Sequence, residues 1–228
     1  MLVLASNSPR RKQLLALSGW SFIVAVPQVD ERPLPGEAPE EYVRRLAMTK
    51  AEAAMRLLDK PNSAVIVAAD TTVVADLPDK DAPSGVRAAI LGKPGDAAEA
   101  EWMLRALRGR MHRVYTGLAV LRAEDGKRLS TLVVTDVLMR EYSDEEMMAY
   151  IASGDPLDKA GAYAIQHADF HPVQKLQGCY ANVMGLPLCH LVRMLSQLGL
   201  ESRENIYESC QQETGVPCQV YLHALQQQ

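Results

Sequence analysis

Hydroxyls and guanidiniums crowd the start of this chain. Residues 2–11, Leu-Val-Leu-Ala-Ser-Asn-Ser-Pro-Arg-Arg, set a short apolar run against Ser6, Ser8, Arg10 and Arg11. Ser8 is a good helix N-cap and Pro9 suits the first helical position. A strand, a serine loop and a helix N-terminus in that order bring free backbone N–H groups, hydroxyls and the positive end of a helix dipole together, which is an anion site. Arg10 and Arg11 add fork-shaped donors that match phosphate oxygens. The competing reading is a plain strand-to-helix connection with a solvated basic pair.

Two charged residues sit in apolar company. Asp70 interrupts Val65-Ile66-Val67-Ala68-Ala69-Asp70-Thr71-Thr72-Val73-Val74, a segment otherwise fit for a buried strand. A carboxylate buried without partners costs several kcal/mol, so Asp70 either ends the strand and caps a local turn or faces a cleft. In a cleft it can bind a divalent metal or activate water. Lys50 lies three, four or seven residues from Val43, Leu46, Ala47, Ala54 and Leu57, so on a helix it shares their apolar face. It either snorkels to the edge of that stripe or serves as an anion ligand. Glu31 follows the apolar stretch Val24–Val29, and Lys93 occupies the tight turn Leu91-Gly92-Lys93-Pro94. Thr71 and Thr72, next to Asp70, can contact a phosphate or a base.

These side chains need elements to hold them. Leu2–Ala5 and Phe22–Val26 read as strands, and a Pro-rich connection over 32–39 leads to a helix from about Glu40 to Leu58. Ala64–Ala75 is apolar and β-branched, which predicts a central strand, followed by a polar loop over Asp76–Arg87. Asp96 with Glu99 opens a helix carrying Trp102, Leu104 and Leu107. Val114–Leu121 and Leu129–Met139 form a hairpin through the turn Glu124-Asp125-Gly126-Lys127. Ser143 and Glu146 cap a further helix ending near Ser153-Gly154. A Gly- and Ala-rich stretch, Asp158–Gln166, follows; its small residues around Tyr163 permit close approach of a flat ligand or another segment. A last helix runs from Pro187 to about Leu198, and the polar tail beyond Gly199 is expected to pack loosely. Strands alternating with helices, interrupted by a hairpin, predict an α/β fold with a mixed sheet.

Composition narrows the class. A hydrophobic fraction of 48% and a charged fraction of 23% are those of an ordinary globular protein. A net charge of −4 argues against nucleic acid as a partner and for a small phosphorylated ligand at a local basic cluster. No apolar run approaches the roughly twenty residues that span a bilayer, so no membrane partner is expected. The first residues go straight into a strand and cap rather than a signal peptide, which predicts a cytoplasmic protein. Cys179, Cys189, Cys210 and Cys218 lack metal or disulfide-framework spacing, and His167, His171 and Cys179 read as loop residues. There is no P-loop, dinucleotide fingerprint or Gly-x-Ser-x-Gly elbow.

Taken in order, several segments resemble the Maf family of nucleoside triphosphate pyrophosphatases. They are Leu-Ala-Ser-Asn-Ser-Pro-Arg-Arg (4–11), Val-Asp-Glu (29–31), Arg-Leu-Ala-Met-Thr-Lys-Ala (45–51) and Ala-Ala-Asp-Thr-Thr-Val (68–73). Leu-Gly-Lys-Pro (91–94), Val-Tyr-Thr-Gly (114–117), Asp-Lys-Ala-Gly-Ala-Tyr-Ala-Ile-Gln (158–166) and Asn-Val-Met-Gly-Leu-Pro-Leu (182–188) complete the set. The resemblance spans 2–198, which implies a Maf-like domain over 1–199 and a tail over 200–228. It implies a mixed twisted sheet in two lobes with a nucleotide cleft between them, similar to inosine triphosphate pyrophosphatases, in a homodimer. The implied activity splits a nucleoside triphosphate between the α- and β-phosphates, as a house-cleaning reaction on non-standard nucleotides, with a divalent cation, Mg or Mn, as cofactor.

By position, the resemblance makes Asp70 the general base or a metal ligand and Glu31 a second carboxylate for metal or substrate. Ser8, Arg11, Lys50 and Lys93 would bind the phosphates, and Arg10, Thr71 and Gln166 would help choose the base. The 158–166 segment looks like the branch acting on dTTP and UTP, and a glutamine amide offers a pyrimidine edge both a donor and an acceptor. The alternatives are a 7-methyl-GTP pyrophosphatase and a non-catalytic, nucleotide-binding regulator of septum formation.

Overall fold

The computed structural model describes residues 1–78, 86–202, 204–218 and 220–221. Among these residues seven strands form one mixed sheet. They are β1 (Leu2–Leu4), β2 (Phe22–Val24), β3 (Val65–Pro78), β4 (Val86–Leu91), β5 (Met111–Arg122), β6 (Arg128–Met139) and β7 (Val173–Gln177), ordered β2-β1-β3-β5-β6-β7 with β4 on β3. The helices are α1 (Pro9–Ala16), α2 (Pro39–Arg56), α3 (Ala97–Leu107), α4 (Asp144–Ala152), α5 (Tyr180–Val183), α6 (Leu188–Ser196) and α7 (Ile206–Thr214). The α/β class and mixed sheet expected from the strand–helix alternation are both present. Among the described residues, no helix is long and apolar enough to cross a membrane.

The chain divides into two compact units. The first comprises Met1–Thr71, Thr116–Val133 and Cys179–Gln228. Here β1 runs parallel to both β2 and β3, pairing Leu2 with Phe22 and Val65. Helix α2 lies over Val3, Ala5, Ile66, Ala68, Ala119 and Leu121 through the alanines 47, 51 and 54. Small residues let the helix come close, and Gly117 completes the approach. A Cβ there would stand 2.4 Å from the Val43 carbonyl oxygen of α2. The polar tail is expected to pack loosely, but its described helix does not. Asn205 caps α7, which buries Ile206 and Cys210. The Ser202 hydroxyl also donates to the Ser18 carbonyl at 3.1 Å. The two apolar positions lie four residues apart, one helical turn, in a segment whose overall polarity masks them.

The second unit comprises Thr72–Tyr115 and Val134–Gly178. Its β4 pairs antiparallel with the end of β3, Val73 opposite Leu91 and Pro78 opposite Val86, so the two ends of the loop expected over 76–87 are strand. The remainder of that loop, 79–85, lies outside the described residues. Strand β7, a segment to which the sequence reading assigns no element, pairs antiparallel with β6. Its short Val-Gln-Lys-Leu-Gln run, with no fully buried position, gives little apolar signal. Helix α3 starts at Asp96, whose side chain accepts from Glu99 N at 2.8 Å, while α4 has the full reciprocal box of Ser143 and Glu146. Trp102 on α3 is half exposed, whereas Leu104 and Leu107 are buried.

Candidate active site

The strand-to-helix connection forms as expected: Ser8 caps α1 with Pro9 first in the helix, and its hydroxyl accepts from Arg11 N at 3.4 Å. Arg11 then turns back over β1 and β3. Its Nε donates to the Gly185 carbonyl at 2.8 Å, Nη2 to Thr71 Oγ1 at 3.1 Å and Nη1 to Ser6 Oγ at 3.4 Å. Thr71 Oγ1 meets Thr116 Oγ1 at 2.9 Å, and Thr116 donates to the Asn182 carbonyl at 3.2 Å. Arg11 is therefore held in one orientation from three directions, and these bonds use three of the five donors of its fork. Burial lowers its pKa and Asp70 counteracts this, but a guanidinium stays charged. Arg10, the next residue back, is half exposed.

One residue before Thr71, Asp70 points away from solvent, 6% exposed in the middle of β3 rather than at a strand end. Its partner is Lys50, 9% exposed on the buried face of α2. Lys50 Nζ stands 2.6 Å from Asp70 Oδ1 and 2.7 Å from Glu31 Oε1. Lys50 thus does not snorkel along its apolar stripe; it joins a buried carboxylate to a half-exposed one. Burial pushes the Asp70 carboxyl above its ordinary range, against the pull of Lys50 and Arg11. A carboxylate so placed has raised proton affinity, which suits it to accept a proton from water.

Helix α2 also fixes the loop that carries Glu31. The Tyr42 hydroxyl donates to the Glu31 carbonyl at 2.8 Å, and Arg45 Nη2 donates to the Arg32 carbonyl at 3.2 Å. Arg45 is clamped in turn by Glu37, Nη2 to Oε2 at 2.7 Å, and this pairing holds the Glu37 carboxyl below its ordinary pKa. Tyr42, Arg45 and Lys50 sit on successive turns of one helix. Sequence reasoning singled out only Lys50, although a tyrosine and an arginine one turn apart, upstream of it, were there to be read. Thr116 and Gly185 lie within the motifs at 114–117 and 182–188, which by themselves assign neither a role.

Lys93 and Gln166 belong to the second unit, and both are exposed. The turn bearing Lys93 is tied to the Asp-Lys-Ala-Gly segment, because Gly161 N donates to the Gly92 carbonyl at 3.0 Å. Gly161 has φ +68°, and a Cβ there would meet Val73 Cγ2 at 2.8 Å. Buried Lys159 braces the same segment through Asp155 Oδ1 at 2.9 Å and Asp158 Oδ1 at 2.6 Å. The Tyr150 hydroxyl donates to Asp155 at 2.9 Å and accepts from Ala164 N at 3.0 Å. Just past Gln166, His167 Nδ1 accepts from Phe170 N at 3.0 Å and shapes the following loop. The structure therefore groups Asp70, Glu31, Lys50, Arg11, Thr71 and Ser8 in the first unit and puts Lys93 and Gln166 on braced turns of the second.

Two carboxylates around one ammonium also bear on metal binding. Hard divalent cations take oxygen ligands, and magnesium in particular is bound through one or two carboxylates plus phosphates and water. Asp70 and Glu31 fit that description. Among the described residues there is no group of three or more His, Cys, Asp or Glu able to hold a metal by themselves. Cys179, Cys189, Cys210 and Cys218 form no disulfide, and the first three are buried.

A family model described as Maf-like protein matches residues 1–198. The chain is 45% identical over 198 residues to a protein of Geotalea uraniireducens (strain Rf4) named dTTP/UTP pyrophosphatase, covering 87% of this chain and 95% of that one. A protein of Thermomicrobium roseum with the same name is 47% identical over 202 residues, covering 87% of this chain and 84% of the other. One of Citrifermentans bemidjiense, also so named, is 43% identical over 198 residues, with 87% and 95% covered. The structure of the Staphylococcus aureus Ham1 protein is similar at 18% identity and a TM-score of 0.39 over 60% of this chain and 71% of that one, too distant to build on.

Proposed function

The chain belongs to the Maf-like protein family, and on that footing we propose that it is a nucleoside triphosphate pyrophosphatase with dTTP and UTP as substrates. It converts them to the nucleoside monophosphate and pyrophosphate. The observation that carries this reading is the Asp70–Lys50–Glu31 group set one residue from the Thr71–Arg11 contact. Polyphosphate hydrolysis asks the protein mainly for charge neutralisation and an oriented water, and these residues are of the types that supply them.

In this mechanism Ser8, Arg11, Lys50 and Lys93 bind the phosphates. Asp70, with its raised proton affinity, accepts the proton of the attacking water as the new oxygen–phosphorus bond forms at the α-phosphate. The bond from the α-phosphorus to the bridging oxygen breaks, and pyrophosphate leaves with that oxygen. Asp70 and Glu31 would hold a divalent cation, Mg or Mn, which supplies positive charge to the polyphosphate. Gln166 and Arg10 face the choice of base, and Thr71 contributes by orienting Arg11. The resemblance to the family supports a homodimer working in the cytoplasm.

The test is product analysis over a panel of nucleoside triphosphates with Mg and with Mn. dTTP and UTP should give the highest kcat/KM, with monophosphate and pyrophosphate as products. Absence of turnover, or release of diphosphate and inorganic phosphate, overturns the reading.

A further inference from the structure

The Lys50 ammonium lies within 2.7 Å of one oxygen of each carboxylate that would hold a divalent cation. It is not at the rim of that group. Lys50 is buried, and its side chain descends from α2, a helix fixed to the sheet by the contact of Gly117 with the Val43 backbone. A cation held by Asp70 and Glu31 would have to share both carboxylates with Lys50, which already pairs one oxygen of each. A unit positive charge next to a divalent ion weakens its binding about tenfold or more even at the dielectric of water, and further in a buried place. Because no group of three or more His, Cys, Asp or Glu among the described residues could hold a metal, the protein also offers too few ligands to win that competition unaided.

We propose that Lys50 is a built-in competitor of the metal, so that the divalent cation enters with the triphosphate and not before it. Phosphate oxygens serve both sides of the exchange. They complete the ligand set of the cation and they give the displaced ammonium a new anionic partner. Lys50 is then a positioning residue as well as a phosphate ligand: it holds Asp70 and Glu31 together until the nucleotide arrives, and it prevents a metal from filling the site unproductively. This rests on the pyrophosphatase reading for the identity of the anion, though not for the lysine–carboxylate geometry.

Mn binding followed by electron paramagnetic resonance tests it without turnover. The full-length protein alone should bind Mn at least about tenfold more weakly than the same protein with a non-hydrolysable α,β-methylene analogue of dTTP. Lys50→Met and Lys50→Gln, checked for folding by circular dichroism, should bind Mn without nucleotide about tenfold or more tightly than the unmodified protein. Tight, stoichiometric Mn binding by the unmodified protein alone overturns the proposal. So does unchanged, weak Mn binding in a folded variant. If neither variant folds, the comparison of the unmodified protein with and without the analogue decides. Failure of the pyrophosphatase reading would be seen separately, as absence of turnover on every triphosphate, while the nucleotide-free Mn measurements on the lysine variants would still stand.

Discussion

Replacing Gly185 by alanine should cost more than backbone strain alone. Gly185 has φ +101°, and an alanine Cβ there would meet Arg11 Nε at 3.2 Å and Thr71 Oγ1 at 3.3 Å. Its carbonyl also receives the 2.8 Å bond from Arg11 Nε. Forcing a side chain into such backbone costs about 1–3 kcal/mol, and losing a hydrogen bond to a charged group about 1.5–3 kcal/mol. Gly199 provides the control, because it has φ +77° with no atom within 4 Å of a built Cβ. Gly199→Ala should therefore show the strain only. By urea denaturation, Gly185→Ala should lose about 1.5–3 kcal/mol more than Gly199→Ala, the worth of the Arg11 bond. Because Arg11 would no longer be held toward its ligand, KM for dTTP should rise about tenfold or more, which corresponds to about 1.4 kcal/mol or more of lost binding. Equal stability losses in the two variants, with KM unchanged in both, would refute the assignment of Gly185 as the seat of Arg11.

Asp70→Asn should lower kcat by about a hundredfold or more while leaving nucleotide binding measurable by calorimetry, the range expected for loss of a general base; full activity would remove Asp70 from the chemistry. Gly117→Ala drives a Cβ against the Val43 backbone and should destabilise by about 1–3 kcal/mol or more, with kcat reduced because α2 carries Lys50, both readable from denaturation and steady-state rates. Ile206→Ala should cost about 2–5 kcal/mol by denaturation if α7 is a docked part of the first unit, and close to nothing if it is not.

Much of the positioning frame was legible because it depends on local rules. Ser8-Pro9 dictates a helix start whatever lies around it, and Ser143 with Glu146 closes a capping box within one turn. The apolar, β-branched run around Asp70 predicts a buried strand, and the structure resolves the open choice by placing the carboxylate inside it rather than at its end. The misses share a cause. Strand β4 depends on pairing with the far end of β3, and β7 on an edge beside β6, so neither had a period of its own to announce it. Helix α7 buries only Ile206 and Cys210, too little apolar surface to mark a helix in a polar tail.

At the site, a charge in an apolar period singled out Asp70 and Lys50, the Ser-Pro-Arg-Arg helix start singled out Arg11, and Glu31 gained a role only through the family resemblance. These signals could not say which partner each side chain meets. Lys50 had two open readings, stripe edge or anion ligand, and its ammonium in fact sits between two carboxylates from a loop and a strand remote in sequence. Tyr42 and Arg45 became part of the site only because α2 reaches the loop around Glu31. Chemical capacity is written in single residues and short spacings. Which capacities meet is decided by long-range packing, since an ion pair depends on a few ångströms that no local rule controls.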